Sequence, residues 1–159
     1  MAEAVERALI LAVLCFLSAA ASAGWAAHGG DILGLWQNEE RDGIIEIYQC
    51  GEKYCGRIVW TKAPVYKADD SRGRAGQPRL DDNNPDPKLR NRPITGLQIM
   101  DGFIFDGKNE WKRGTLYDPK DGKTYRGKMS LASPGELRLR GYVLFSFIGR
   151  TTTWTRLDR

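Results

Sequence analysis

The sequence has one histidine, three cysteines and three methionines among 159 residues. One imidazole and so few thiols exclude a zinc centre built from histidine and cysteine, and no ligand spacing of that kind occurs. His28 stands in an N-terminal arm and is read as an ordinary surface residue rather than a general base. Nucleophile elbows and phosphate-cradling glycine loops are missing too. The adjacent acids Asp81 and Asp82 lie in a turn-rich segment, where carboxylates serve turns more often than acid–base chemistry. These gaps argue against an enzyme, a hydrolase being the weakest alternative, and no cofactor is implied. After residue 23 there is also no convincing amphipathic helical period.

The longest apolar stretch lies at the start. Residues 8–23, ALILAVLCFLSAAASA, decay into small side chains, and Ala21-Ser22-Ala23 fits the small-x-small rule for a leader cleaved after Ala23. A membrane anchor is the alternative, but the run is short for a helix that spans a bilayer. Cys15, inside it, lacks a lipoprotein-like setting. The expectation is a periplasmic or secreted protein, with 1–23 a signal peptide, 24–159 one domain, and no transmembrane span once the leader is gone. Loss of Glu3, Glu6 and Arg7 with the leader raises the net charge from +4 to +5. That basic excess suits anionic envelope components but is too diffuse for nucleic-acid binding. Cys50 and Cys55 remain and are expected to pair in an oxidising compartment. Their spacing is not C-x-x-C and no helix follows to lower a thiol pKa, so a redox role is disfavoured.

The rest of the chain is strand and turn. Apolar alternation predicts strands near 33–39, 44–50, 54–61, 94–100, 102–106, 110–117, 123–132, 136–145 and 149–157. Glycine, proline and aspartate mark the connections, as in Asp118-Pro119-Lys120-Asp121-Gly122 and Ser133-Pro134-Gly135. Short strands with short connections point to an all-β fold, an antiparallel up-and-down meander closing as a barrel of about eight strands.

Trial pairings sort the side chains into faces. With Cys50 opposite Cys55, the bridge lies outside and Ile45, Ile47, Ile58 and Trp60 share the inner face. Aligning Leu116 with Tyr125 turns Gly114, Gly127 and Met129 inward, and aligning Leu131 with Leu139 adds Gly141, Val143 and Phe145. Arg113, Arg126, Lys128, Arg138 and Arg140 then face out, the reverse of a lipid-exposed barrel. Inward glycines leave room for a ligand or allow the bends that close a small barrel.

Gly34-Leu35-Trp36 at the first strand and Trp154-Thr155-Arg156 at the last resemble the calycins, the superfamily of lipocalins and fatty-acid-binding proteins. The resemblance implies that Trp36 packs at the closed end beneath Arg156, in a structural role. A closer resemblance runs through Cys55-Gly56-Arg57-Ile58, the Asp82…Asn84-x-Asp86-x-x-Leu89-Arg90-x-Arg92 segment, Trp111-x-x-Gly114-x-Leu116-Tyr117-Asp118-Pro119, Leu139-Arg140-Gly141-Tyr142 and Trp154-x-Arg156. These are similar to the exported bacterial family catalogued as domain of unknown function 2147. That implies a small envelope protein with a lipocalin-like barrel, and no activity.

The connection 62–92 is long for a compact domain and holds four of the seven prolines. Its first half looks mobile and basic. In the second, Asn84-Pro85 and Asp86-Pro87 are Asx-Pro turns, with Lys88, Arg90 and Arg92 close enough to clamp the acids. Calcium at Asp82, Asn84 and Asp86 is a weaker alternative, since the glycine and late glutamate of an EF-hand loop are missing. Arg90 and Arg92 holding an anion at the barrel mouth is a third. The run Val143-Leu144-Phe145-Ser146-Phe147-Ile148 is too continuously apolar for a strand with one wet face, and suggests an apolar lip.

The leading expectation is therefore an exported barrel that binds a small apolar or amphipathic molecule, with 62–92 as a partial lid. Trp60, Ile58, Phe145, Phe147, Ile148, Arg90 and Arg92 are the candidate ligand contacts. Trp36, Arg156, Cys50, Cys55 and Asp86 are assigned structural roles. The alternative is a barrel filled by its own side chains that binds an envelope protein or glycan through its basic outer face, with Trp111 and Tyr142 as exposed docking aromatics.

Overall fold

The computed structural model describes residues 27–157, so the expected leader lies outside the described residues. Eight strands follow one another: β1 (Gly34–Gln37), β2 (Gly43–Cys50), β3 (Lys53–Thr61), β4 (Gln98–Phe105), β5 (Glu110–Asp118), β6 (Lys123–Ser133), β7 (Glu136–Tyr142) and β8 (Gly149–Leu157). Each pairs antiparallel with the next, and β8 returns to β1, so the sheet closes as an up-and-down barrel. Closure leaves no unpaired sheet edge. Among the described residues no helix is long and apolar enough to cross a membrane.

Turn chemistry corrected two of the trial registers. Gly51, at φ 67°, lets β2 and β3 join through a two-residue turn, with Cys50 opposite Lys53 and Cys55 opposite Tyr48. The Cys50–Cys55 disulfide forms diagonally, with the Cα atoms 5.9 Å apart. In the β6–β7 hairpin Leu131 faces Leu137 and Leu139 faces Met129, again two residues from the expected alignment. A shift of two preserves which side chains point inward. The Leu116–Tyr125 and Gly114–Gly127 pairs form as expected.

Single-residue irregularities changed more. Between Ile45–Ile58 and Ile44–Trp60 the register slips by one, which turns Trp60 to the outer face, 44% exposed. A second slip separates Trp111–Met129 from Gly114–Gly127, where Arg113 adopts φ 64°. Trp111 therefore points inward and is fully buried, which rules it out as an exposed docking aromatic. The expected strands 94–100 and 102–106 are one strand, β4, broken in register around Gly102 at φ 75°. β7 ends at Tyr142, so Val143 and Phe145 leave the interior for an exposed connection.

One end of the barrel is closed. A short 3-10 helix, Gly29–Ile32, lies across it, and the fully buried Ile32 accepts the Trp36 indole N–H at 2.8 Å. The Arg156 guanidinium stacks 4.2 Å above the Trp36 ring and donates to the carbonyls of Leu33, Asp31 and Pro134. The Trp111 indole donates to Gly29 O at 3.1 Å. Phe103, fully buried, fills the space over two glycines: a Cβ at Gly127 would meet its ring at 2.7 Å, and one at Gly114 would overlap it. These glycines serve close packing rather than ligand space.

Candidate ligand-binding cavity

Above this packed layer the barrel is open. A cavity of about 860 Å³ occupies the upper half, walled by Ile45, Ile58, Ile99, Leu116, Leu139 and Trp154. Their positions follow from the strand period, except that a register slip between β3 and β4 brings Ile99 onto the wall beside inward Met100. Gly141 also lines the space, and a Cβ there would meet Leu116 only at 3.6 Å, an ordinary contact. Here the glycine does leave room.

The mouth is polar. The four connections at this end, 38–42, 62–97, 119–122 and 143–148, surround it. Lys120 ties two of them together, its Nζ lying 2.7 Å from Glu40 and 3.1 Å from Asp42. The Glu40 hydrogen bond holds the Lys120 pKa above its ordinary value, and donation from Asn38 lowers that of Asp42. Lys62 and Arg79 also line the mouth, and among the described residues neither has a carboxylate in ion-pair reach. These two cations are available to an anionic group entering the barrel.

The long connection is an ordered strap instead of a loose one. Val65 bridges to Pro78, and Leu80 to Pro93. Asp82 receives two hydrogen bonds from Arg74, at 2.9 and 3.0 Å, and a third from the Tyr66 hydroxyl at 2.7 Å. The Arg74 guanidinium stacks on the same tyrosine, 3.7 Å from the ring centroid. Arg74 is the chief reason the Asp82 pKa falls below 3.8, while burial and then Asp82 push that of Tyr66 up. So the expected mobile half is closed by a charge-assisted network.

Asp81 fastens the strap to the barrel. Its carboxylate is fully buried and accepts from Tyr117 at 2.5 Å, Asn84 at 2.8 Å and Arg92 at 2.9 Å. A buried carboxylate needs such donors to replace its hydration. Burial, and then the Asp81 bond, raise the Tyr117 pKa to about 12, so its hydroxyl stays a donor. Asn83 also donates to the Pro119 and Lys120 carbonyls across the β5–β6 turn. Gly122, at φ 70°, permits that approach, because a Cβ there would collide with the Asn83 carbonyl oxygen.

Of the candidate contacts, the cavity gathers Ile58 and Ile148. Trp60, Phe145 and Phe147 stand outside its lining; the two phenylalanines stack on each other in the exposed β7–β8 connection, with centroids 5.4 Å apart. Arg92 is engaged with Asp81, and the Arg90 Nε donates to Asn84 O at 2.7 Å. Asp86 caps the 3-10 turn Pro87–Leu89 by accepting from Lys88 N, as its sequence context suggests. The proposed calcium donors do not converge: Asp82 turns to Arg74, Asn84 to Asp81 and Asp86 to its own turn. Cys50, Cys55 and Asp101 do lie together, but the sulfurs are already in the disulfide. Sequence reasoning missed Ile99, Lys62 and Arg79; no pattern marks a bulged isoleucine or a loop cation as part of a wall.

A closed eight-stranded antiparallel barrel, packed at one end and hollow at the other, defines a lipocalin-like protein, a class whose fold points to binding a small molecule rather than to catalysis. Residues 34–156 match the family described as "Uncharacterized protein conserved in bacteria (DUF2147)", and the chain belongs to it. A solved structure is similar: protein HP1028 from the human pathogen Helicobacter pylori, described as belonging to the lipocalin family. It shares 28% identity at a TM-score of 0.67, over 79% of this chain and 82% of that one. No curated protein matches the sequence.

Proposed function

We propose that this protein is an exported binder of a small amphipathic molecule, held with its apolar part in the upper barrel and its polar end at the mouth. The cavity carries this reading: about 860 Å³ falls within the roughly 300–1,000 Å³ typical of small-molecule sites. Its wall is aliphatic, so a hydrocarbon portion gains by leaving water there. Lys62 and Arg79 at the rim favour a carboxylate or phosphate as the polar end. The leader-like residues 8–23 and the Cys50–Cys55 disulfide support a periplasmic or secreted location. The barrel is packed only in its lower half, which weighs against an interaction module with a wholly filled core.

The test compares the wild type with Gly141→Phe, whose added ring enters the cavity. Wild-type protein is expected to bind the fluorescent fatty acid cis-parinaric acid and to carry extra mass in native, but not denaturing, mass spectrometry. Gly141→Phe should lose both while staying folded. A bare native mass, together with parinarate binding that Gly141→Phe leaves unchanged, would overturn the reading.

A further inference from the structure

The β7–β8 connection, residues 143–148, presents Leu144 at 70%, Phe145 at 58% and Phe147 at 75% exposure. Large apolar side chains grouped this way are costly in water and mark a contact surface. The connection is not a frayed loop. Ile148 N–H donates to Phe145 O at 3.0 Å, and the two phenylalanine rings stack within 7° of parallel. Arg140 braces it from the barrel wall, donating to Ser146 O and, at 2.8 Å, to Thr151 Oγ1.

The wall beneath this flap carries a cluster of cations. Lys128 stands directly opposite Arg140, and Arg126 opposite Tyr142, on the outer face of β6 and β7. Like charges opposed across strands are destabilising unless a counter-charge is at hand. Lys128 has a single carboxylate, Glu110, at 3.5 Å, and among the described residues Arg126 and Arg140 have none in ion-pair reach. An apolar, aromatic-tipped loop over a cationic wall has the chemistry of a surface for anionic lipid. The flap offers no side-chain polar group but Ser146, so it lacks the directional contacts of a protein recognition loop.

We propose that the 143–148 flap and the cationic outer ladder of β6 and β7 dock the barrel on an anionic lipid bilayer, with Leu144, Phe145 and Phe147 entering the interface. Because Val143 and Ile148 also line the cavity mouth, docking would bring that mouth to the membrane surface. The docking surface does not depend on the cavity being occupied.

The test is cosedimentation of the exported chain, residues 24–159, with vesicles of phosphatidylcholine alone or mixed with phosphatidylglycerol. Binding is expected only with phosphatidylglycerol and should weaken as salt rises. Phe147→Ser should weaken it about tenfold, since one buried phenylalanine is lost from the interface. Arg126→Glu should weaken it at least about fivefold. Phe147 and Arg126 lie outside the cavity lining, so both variants should still bind cis-parinaric acid, which separates failed docking from failed folding and from failure of the cavity reading. The proposal is overturned by an absence of vesicle binding, by binding that ignores phosphatidylglycerol, or by Phe147→Ser binding as tightly as wild type. It is overturned equally if the flap instead buries itself in a dimer that Phe147→Ser dissolves while no vesicle binding is seen.

Discussion

The two halves of the barrel share the same eight strands and the same inward period, yet one is solid and the other hollow. In the lower half the inward positions carry Trp36, Trp111, Phe103 and Met100, with glycines opposite so that the rings fit. In the upper half they carry Ile45, Ile58, Leu116 and Leu139, with Gly141 beside them. The aliphatic side chains of the upper half leave its centre open, whereas the larger rings of the lower half fill theirs. Side-chain volume at equivalent positions therefore separates a stabilising core from a binding space within one continuous sheet.

Mutations in the two halves should differ accordingly. Trp111→Ala opens a new void in packed surroundings and loses the hydrogen bond to Gly29 O, and should cost about 3–5 kcal/mol. Leu139→Ala only enlarges a space that already exists, and should fall near about 2 kcal/mol, the low end for such truncations. Urea unfolding of both variants measures the contrast, and equal losses would mean that the upper half collapses around Leu139 in solution. Next in size, Asp81→Ala should cost about 2–3 kcal/mol, because Tyr117, Asn84 and Arg92 lose their common acceptor. Hydrogen exchange should then show the 79–94 segment opening while the lower barrel stays protected.

The smallest effect is a pH dependence of the strap. The Asp82 pKa is depressed chiefly by Arg74, so its contribution is complete above the unfolded value near 3.8 and is lost as pH falls through the lower folded value. Asp42, lowered by Asn38, has the same sign at the neighbouring loop. Protection factors within 66–82, with the intrinsic pH dependence of amide exchange divided out, should therefore be steady from about pH 5 to 8, by the linkage rule, and fall below about 4. Loss of protection already at pH 6 would point to a titrating group other than these carboxylates.

Much of this was legible in the linear pattern, and the misplacements share a cause. Hairpins misaligned by two residues, at Cys50–Cys55 and Leu131–Leu139, kept every side chain on its proper face. Irregularities of a single residue did not: those near Ile44/Ile45 and between Trp111 and Gly114 sent Trp60 out and Trp111 in. A bulge leaves little trace in local alternation, because it is set by how a strand must bend to keep both neighbours paired. The strap shows the same limit. Its Asx-Pro turns and the Asp86 cap are local chemistry and could be read, while the Asp81–Tyr117–Arg92 hub joins residues far apart in sequence.

The sequence by itself determined the all-β class, the turn positions and the pairing of Cys50 with Cys55, because each follows from residue type and near-neighbour spacing, while the Trp36–Arg156 closure was implied by the resemblance to the calycins. Only the tertiary structure decided that the upper barrel is hollow, that Trp111 fills its floor, and that the long connection is buckled to the wall through a buried aspartate. Those outcomes depend on which volumes and charges meet across a closed sheet, and that is settled by register and bulges that no local stretch of sequence contains.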